Sequence, residues 1–214
     1  MRIIDLGITH FLEAYKIQRD LVDKVALGIC EDTLILTEHR PVITIGRKKG
    51  SWGNILKSRE YLGSLGIEVV DVDRGGDVTY HAPGQLIAYP ILRLQDEAKD
   101  IHKYLHYLEE VGIHFLGQYG VSSVARPGLR GIWVKGNKIA SIGIGVKKWV
   151  TYHGLAVNIN VDKTGFSLIN PCGIKGVEMI SLKDILEESL DIDDAKDRLK
   201  QSFSALPFMA QSAC

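Results

Sequence analysis

The chain is poor in cysteine and proline, has no excess of either charge and carries no long apolar run. Three cysteines, Cys30, Cys172 and Cys214, are too few and too far apart for a disulfide framework, and the odd count leaves at least one thiol free. A reducing, cytoplasmic setting is the expectation. The six prolines form no tract, and no linker, low-complexity stretch or fixed-period repeat breaks the 214 residues, so 1–214 reads as a single domain. Twenty-six basic residues balance 26 acidic ones, which argues against a broad basic face for nucleic acid; any docking charge must be local. No apolar run approaches the ~18 residues of a membrane span, and residues 1–20 show neither a signal core nor an acid-free transit pattern. No membrane partner is expected. Neither GxxxxGK[ST] nor GxGxxG occurs, which leaves a bound nucleotide unsupported, and no cofactor is expected. His102 and His106 have the spacing of a helical metal pair, but no Glu follows the first and no third ligand is evident, so no metal is expected either.

Glycine is plentiful. The 22 glycines are about a tenth of the chain against a ~7% average, and they gather in short strand-like segments between Gly46 and Gly176. Apolar spacing predicts a helix over 9–27, then strands over 33–37 and 42–45, a short helix over 58–65, and strands over 67–72, 77–80 and 85–92. Ile101, Tyr104, Leu105, Leu108 and Val111 mark a well-patterned amphipathic helix. From 121 to 161 the pattern is β again, with a hairpin joining Ile132–Val134 to Ile139–Ile142 through Lys135-Gly136-Asn137-Lys138, and a strand over 149–161. Ser181 with Asp184 forms a capping-box pattern, and a last helix is expected over 193–203. The sum is an α/β (α+β) domain built on a mixed sheet flanked by helices, whose strand order a single sequence does not give.

Four segments carry chemistry-bearing residues. Arg74-Gly75-Gly76-Asp77-Val78-Thr79-Tyr80-His81 places a glycine pair between two strands, where backbone N–H groups beside Arg74 and His81 suit a carbonyl or carboxylate oxygen; a plain hairpin turn is the alternative. Cys172 stands between Pro171 and Gly173 in a loop, as a reactive thiol or as an inert half-buried one. Cys30 closes the apolar run Val25–Ile29 and reads as core, and Cys214 is the last residue. Lys138, at the handover from turn to strand, is either an exposed hairpin lysine or, beside a thiol, a group that favours the thiolate. In Thr151-Tyr152-His153-Gly154-Leu155-Ala156 a histidine meets a glycine within a strand, the mark of a bulge, a close ligand approach or a satisfied structural histidine.

Taken in order, His39–Gly46, Arg74–Gln85, Lys138-Ile139-Ala140-Ser141-Ile142-Gly143, His153-Gly154-Leu155-Ala156-Val157-Asn158 and Asn170-Pro171-Cys172-Gly173-Ile174 resemble the blocks of the octanoyltransferase family of lipoate biosynthesis, over most of the chain. Arg40 replaces a frequent proline of that pattern, and Asp77 stands where glutamine is common. The resemblance implies the biotin/lipoate protein ligase-like fold. It also implies transfer of an octanoyl group from octanoyl acyl carrier protein to a lysine of lipoyl domains, those of 2-oxoacid dehydrogenases and of the glycine cleavage H protein. By the same resemblance Cys172 is the nucleophile and Lys138 its partner, while Arg74 to His81, Ser141 to Gly143 and His153 to Ala156 bind substrate.

Leu155 and Ile142 are expected in the acyl pocket, and Arg47-Lys48-Lys49 and Lys147-Lys148 are the densest basic runs for an acidic carrier. A monomer is expected. The rival readings are an ATP-dependent lipoate or biotin ligase of the same fold, and a non-catalytic module that docks acyl carriers or lipoyl domains.

Overall fold

The structure, a computed structural model, describes residues 1–95, 99–174, 176–206 and 208. Cys214 lies outside them. The chain runs β1 (Arg2–Thr9), α1 (Phe11–Ala26), β2 (Thr33–His39), β3 (Val42–Ile45), α2 (Arg59–Ser64), β4 (Glu68–Asp71), β5 (Val78–His81), β6 (Gln85–Ile91), α3 (Ile101–Gly117), β7 (Val124–Arg126), β8 (Leu129–Val134), β9 (Asn137–Lys147), β10 (Val150–Asn158), α4 (Leu182–Leu186) and α5 (Ile192–Ala205). A seven-stranded sheet has the order β1-β2-β6-β10-β9-β8-β7, and a three-stranded sheet the order β4-β3-β5. Both are mixed: β1 runs parallel to β2 and β4 parallel to β3, and the other pairs are antiparallel.

Strand alternation divides the core. On one face of the large sheet Leu34, Leu36, Leu86, Ala88, Leu155 and Val157 meet Leu108, Val111 and Phe115 of α3 and Leu199 of α5. Asp100 caps α3 by accepting hydrogen bonds from the His102 and Lys103 amides. On the other face Ile35, Ile87, Tyr89, Tyr152 and Ala156 meet Ala14, Leu21, Val22 and Val25 of α1. The small sheet has its own core, in which Ile43, Val78 and Tyr80 pack on Phe166, Leu168 and Ile169.

Three expectations change. The first is β1 (Arg2–Thr9): apolar spacing starts a helix near residue 9 and marks no strand before it. Its Asp5-Leu6-Gly7 centre has little β propensity, and it is fixed by parallel pairing to a strand 30 residues away, which local pattern does not reveal. The second is Cys30: α1 ends at Ala26, Gly28 turns left-handed with φ 75°, Leu27 and Ile29 face solvent and Cys30 is half-buried. The third is the hairpin, where Val134 pairs with Asn137. Lys135 and Gly136 alone make the turn, both with positive φ as a type I′ turn requires, and Lys138 belongs to the strand.

Candidate active site

A cavity of about 280 Å³ opens between the two sheets. Register supplies one wall: Ile87 lies opposite Ala156 and Ala156 opposite Ser141, while Gly154 lies opposite Gly143. The facing wall comes from the small sheet and the turn before it, with Arg74, Gly76, Asp77, Val78, Thr79 and His81. Burial gives the cavity a direction. Exposed Lys48 and Gly128 and half-buried Arg130, Cys172 and Ile174 border its outer end, and buried Phe11, Ile87 and Tyr89 its inner end.

The strand geometry brings Lys138 to Cys172. Ala140, Ile142 and Ile144 turn toward α3, and Lys138, an even number of residues away, would share that face in a regular strand. But Ile132 pairs with Ala140 while Trp133 pairs with Lys138, so two steps of β9 oppose one of β8. This β-bulge at Ile139 reverses the alternation. Lys138 Nζ then donates to Cys172 Sγ at 2.8 Å and to the Arg130 carbonyl at 2.7 Å, and lies 5.5 Å from the Trp133 ring centre. The lysine is 1% exposed. Its backbone is clamped on the other edge, accepting from the Ile180 amide and donating to the Glu178 carbonyl, both at 2.9 Å. Gly131, with φ 121°, makes the room: a β-carbon there would stand 2.6 Å from Lys138 Cε and 2.3 Å from the Ala140 carbonyl oxygen.

Cys172 sits in a short 3₁₀ turn, Pro171–Gly173, with φ 58° and ψ 17°. Such a left-handed conformation is costly for a side chain with a β-carbon and persists only where the surroundings impose it. Here the Asn170 amide donates to the Asn54 carbonyl at 2.7 Å and Ile169 bridges to Ile55. A β-carbon on Gly173 would stand 2.2 Å from Asp77 Oδ2. Asp77 in turn accepts from Asn54 Nδ2, the Val78 amide and Lys48 Nζ. Burial pushes its carboxyl up, but these donors outweigh burial and hold it below the ordinary carboxylate value.

Arg74 lies against this turn. Its guanidinium donates to the Thr44 carbonyl, Thr44 Oγ1 and the Gly75 carbonyl. Burial brings it down to about 10, partly offset by Cys172, and it remains a cation at neutral pH. His81 is set by a relay of amides. Asn158 Nδ2 donates to the Ile180 carbonyl, so its Oδ1 accepts from Gln85 Nε2 at 2.8 Å, and Gln85 Oε1 accepts from His81 Nδ1 at 2.6 Å. The relay leaves His81 Nε2 as an acceptor. Burial, reinforced by His39, holds His81 at about 3. His39 donates from Nδ1 to the Thr9 carbonyl, accepts at Nε2 from the Tyr89 hydroxyl, and is held by burial at about 4. His153 has φ 55° and gives its amide to Gln18 Oε1, while Nε2 lies 3.3 Å from Asp73 Oδ1. Burial lowers its pKa, although Asp73 opposes this. The His153 contact, joined by the Tyr15 and Tyr152 hydroxyls, holds Asp73 well below the usual carboxylate range.

The cavity thus brings together Arg74, Gly76, Asp77, Val78, Thr79, His81, Ser141, Ile142, Gly143, His153, Gly154, Leu155, Ala156 and Cys172. Three expected residues are not in its lining: Lys138 meets the site through its contact with Cys172, and Tyr80 and Gly75 stand apart. Tyr80 alternates away and packs edge-on against Phe166, over Gly165. Gly75 does not border the cavity, and its amide donates to the Ile144 carbonyl at 2.8 Å. Leu155 and Ile142, expected in the acyl pocket, both line the cavity; Leu155 also belongs to the core under α3, and Ile142 packs against that core.

Residues 10–204 match the lipoyl protein ligase A/B catalytic domain family. The chain is 44% identical over 206 residues to an octanoyltransferase of Syntrophotalea carbinolica, covering 96% of this chain and 94% of that protein. It is 42% identical to the octanoyltransferase of Geobacter metallireducens, covering 98% and 97%. The chain belongs to the octanoyltransferase family. Its fold is that of lipoate and biotin protein ligases. A bipartite lipoate protein ligase of Thermoplasma acidophilum superposes with a TM-score of 0.74 at 16% identity, covering 96% of this chain and 82% of that one. Lipoate-protein ligase A bound with ATP gives 0.73 at 16% identity, with 96% and 84% covered. The biotin protein ligase of Aquifex aeolicus gives 0.59 at 13% identity, with 95% and 69% covered.

For this octanoyltransferase-family chain the sequence motifs leave out several residues that hold the site: Arg130, which borders the cavity, and Gly131, Asn54, Thr44 and Asp73, which do not. Only Gly131 left a signal, a glycine inside a strand pattern, which marks a bulge or a close approach.

Proposed function

We propose that this chain transfers an octanoyl group from an acyl carrier protein thioester to a lysine of a lipoyl domain, through a thioester on Cys172. The observation that carries this reading is the 2.8 Å contact of Lys138 Nζ with Cys172 Sγ at the outer end of a mostly apolar cavity. Cys172 Sγ attacks the carbonyl carbon of the donor thioester as a thiolate. The new C–S bond forms, the bond to the carrier's sulfur breaks, and the departing thiolate takes the proton of Lys138. Neutral Lys138 then accepts a proton from the incoming lysine ammonium, which at its reference pKa of ~10.4 is otherwise no nucleophile. The amine attacks the Cys172 thioester, the C–N bond forms and the C–S bond breaks. Of the two protons that the incoming ammonium loses, the one taken by Lys138 restores the Cys172–Lys138 pair and the other leaves to solvent.

Exchange of a thioester for an amide is downhill, so this route needs no ATP. A tetrahedral oxyanion needs donors, each worth ~3–4 kcal/mol in comparable sites. The Gly75 and Gly173 amides are engaged with the Ile144 and Asn170 carbonyls. Gly76, which borders the cavity, is the better placed of the glycine pair.

The likeness of fold to an ATP-bound ligase supplies the second reading, activation of a free acid. Purified chain mixed with octanoyl carrier protein and a lipoyl domain is expected to form the octanoyl amide without ATP, and Lys138→Ala to slow both half-reactions by at least a hundredfold. Product formed only from free octanoate and ATP would select the ligase reading.

A further inference from the structure

We propose that Phe11 is the stop that sets how long an acyl chain the cavity accepts. The proposal rests on the acyl-enzyme reading and adds to it a residue outside every motif recognised in the sequence. The cavity crosses the large sheet from β9, which carries Lys138, past β10 to Tyr89 and Ile87 of β6, two strand spacings or about 10 Å. An extended octanoyl chain attached at Cys172 spans that distance. Its path is floored by residues with little or no side chain: Ser141, Gly143, Gly154 and Ala156.

Phe11 stands at the inner end, where α1 begins and the two sheets converge, and its side chain packs with Val42 and Val72. The ring cannot swing aside. It lies nearly parallel to His153 at 6.3 Å, His81 at 6.5 Å and Tyr15 at 5.9 Å, and edge-on to His39 at 5.3 Å. His39 and His153 are themselves held by Tyr89, Thr9 and Asp73. At 2% exposure there is no solvent for the ring to retreat into. The wall is therefore rigid. Each methylene up to it gains burial, worth about fourfold in affinity, and methylenes beyond it have no place to go.

The test measures the rate of Cys172 acylation by pantetheine thioesters from hexanoyl to tetradecanoyl, by intact-protein mass spectrometry, in wild type, Phe11→Ala, Phe11→Leu and Leu12→Ala. Wild type is expected to prefer octanoyl and to lose at least tenfold by dodecanoyl. Phe11→Ala should move the optimum to decanoyl or longer and slow octanoyl several-fold. Phe11→Leu, which keeps an apolar residue under α1, should shift it less. Leu12→Ala, on the exposed side of the helix, should keep the wild-type profile. One shared optimum in all four proteins would overturn the stop. Failure of wild type to be acylated at any length would instead overturn the acyl-enzyme reading on which the stop depends.

Discussion

Gly131 has a φ of 121° and no room for a β-carbon, and the carbonyl of Arg130, the residue before it, accepts a hydrogen bond from Lys138 Nζ beside the one that Nζ gives to Cys172. Gly131→Ala is accordingly expected to displace the lysine and to strain the backbone together. Acyl transfer should fall at least a hundredfold, and stability by about 1–3 kcal/mol. Denaturant unfolding beside a transfer assay checks both, and a variant with wild-type rate would show that Lys138 is not held in the way described. The same locality explains what could be read from the sequence at this scale. Cys172 and Lys138 are legible because their neighbours in sequence form recognisable blocks. Asn54 is not, because its contacts are with Asp77, 23 positions away, and with Asn170, 116 positions away.

At the scale of elements, β2, β5 and β10 each bring one histidine against the Phe11 ring: His39, His81 and His153. All three are buried with pKa values below the ordinary 6.5, His39 at about 4 and His81 at about 3. As pH falls below 6.5 the unfolded chain takes up protons that the folded chain does not, so stability falls with pH until the folded values are reached. Each histidine adds a slope of about 1.4 kcal/mol per pH unit across its window. The melting temperature is expected to drop by about 10 °C or more between pH 7 and pH 5. A flat profile over that range would mean that these imidazoles charge freely in the folded protein. Elements themselves were legible where one face is apolar, as in α3 and α5. They were not where pairing decides, as in β1, whose partner is far along the chain, or in the bulge at Ile139, where a one-residue irregularity changes the face on which Lys138 emerges.

Across the whole molecule, zero net charge hides a local asymmetry beside the outer end of the cavity. The segment from Arg47 to Leu65 exposes Lys49, Lys57 and Arg59 around the exposed rings of Trp52 and Tyr61, with the Arg59 guanidinium 4.4 Å from the Trp52 ring centre. Within the two basic runs expected to meet the carrier, Arg47-Lys48-Lys49 and Lys147-Lys148, Lys48 is paired with Asp77 and Lys147 with Asp23. Charge reversal at Lys49 and Lys57 should therefore raise the Michaelis constant for an acidic carrier donor several-fold at low salt, with the effect shrinking as ionic strength rises. An unchanged constant at low salt would place docking elsewhere.

The acyl-enzyme on Cys172 is accessible to peptide mass spectrometry of the chain after mixing with octanoyl carrier protein, without ATP. A hydroxylamine-labile octanoyl group is expected on the peptide containing Cys172 and is expected to be absent from Cys172→Ala. An octanoyl amide formed on the lipoyl domain by Cys172→Ala at the wild-type rate would contradict the acyl-enzyme.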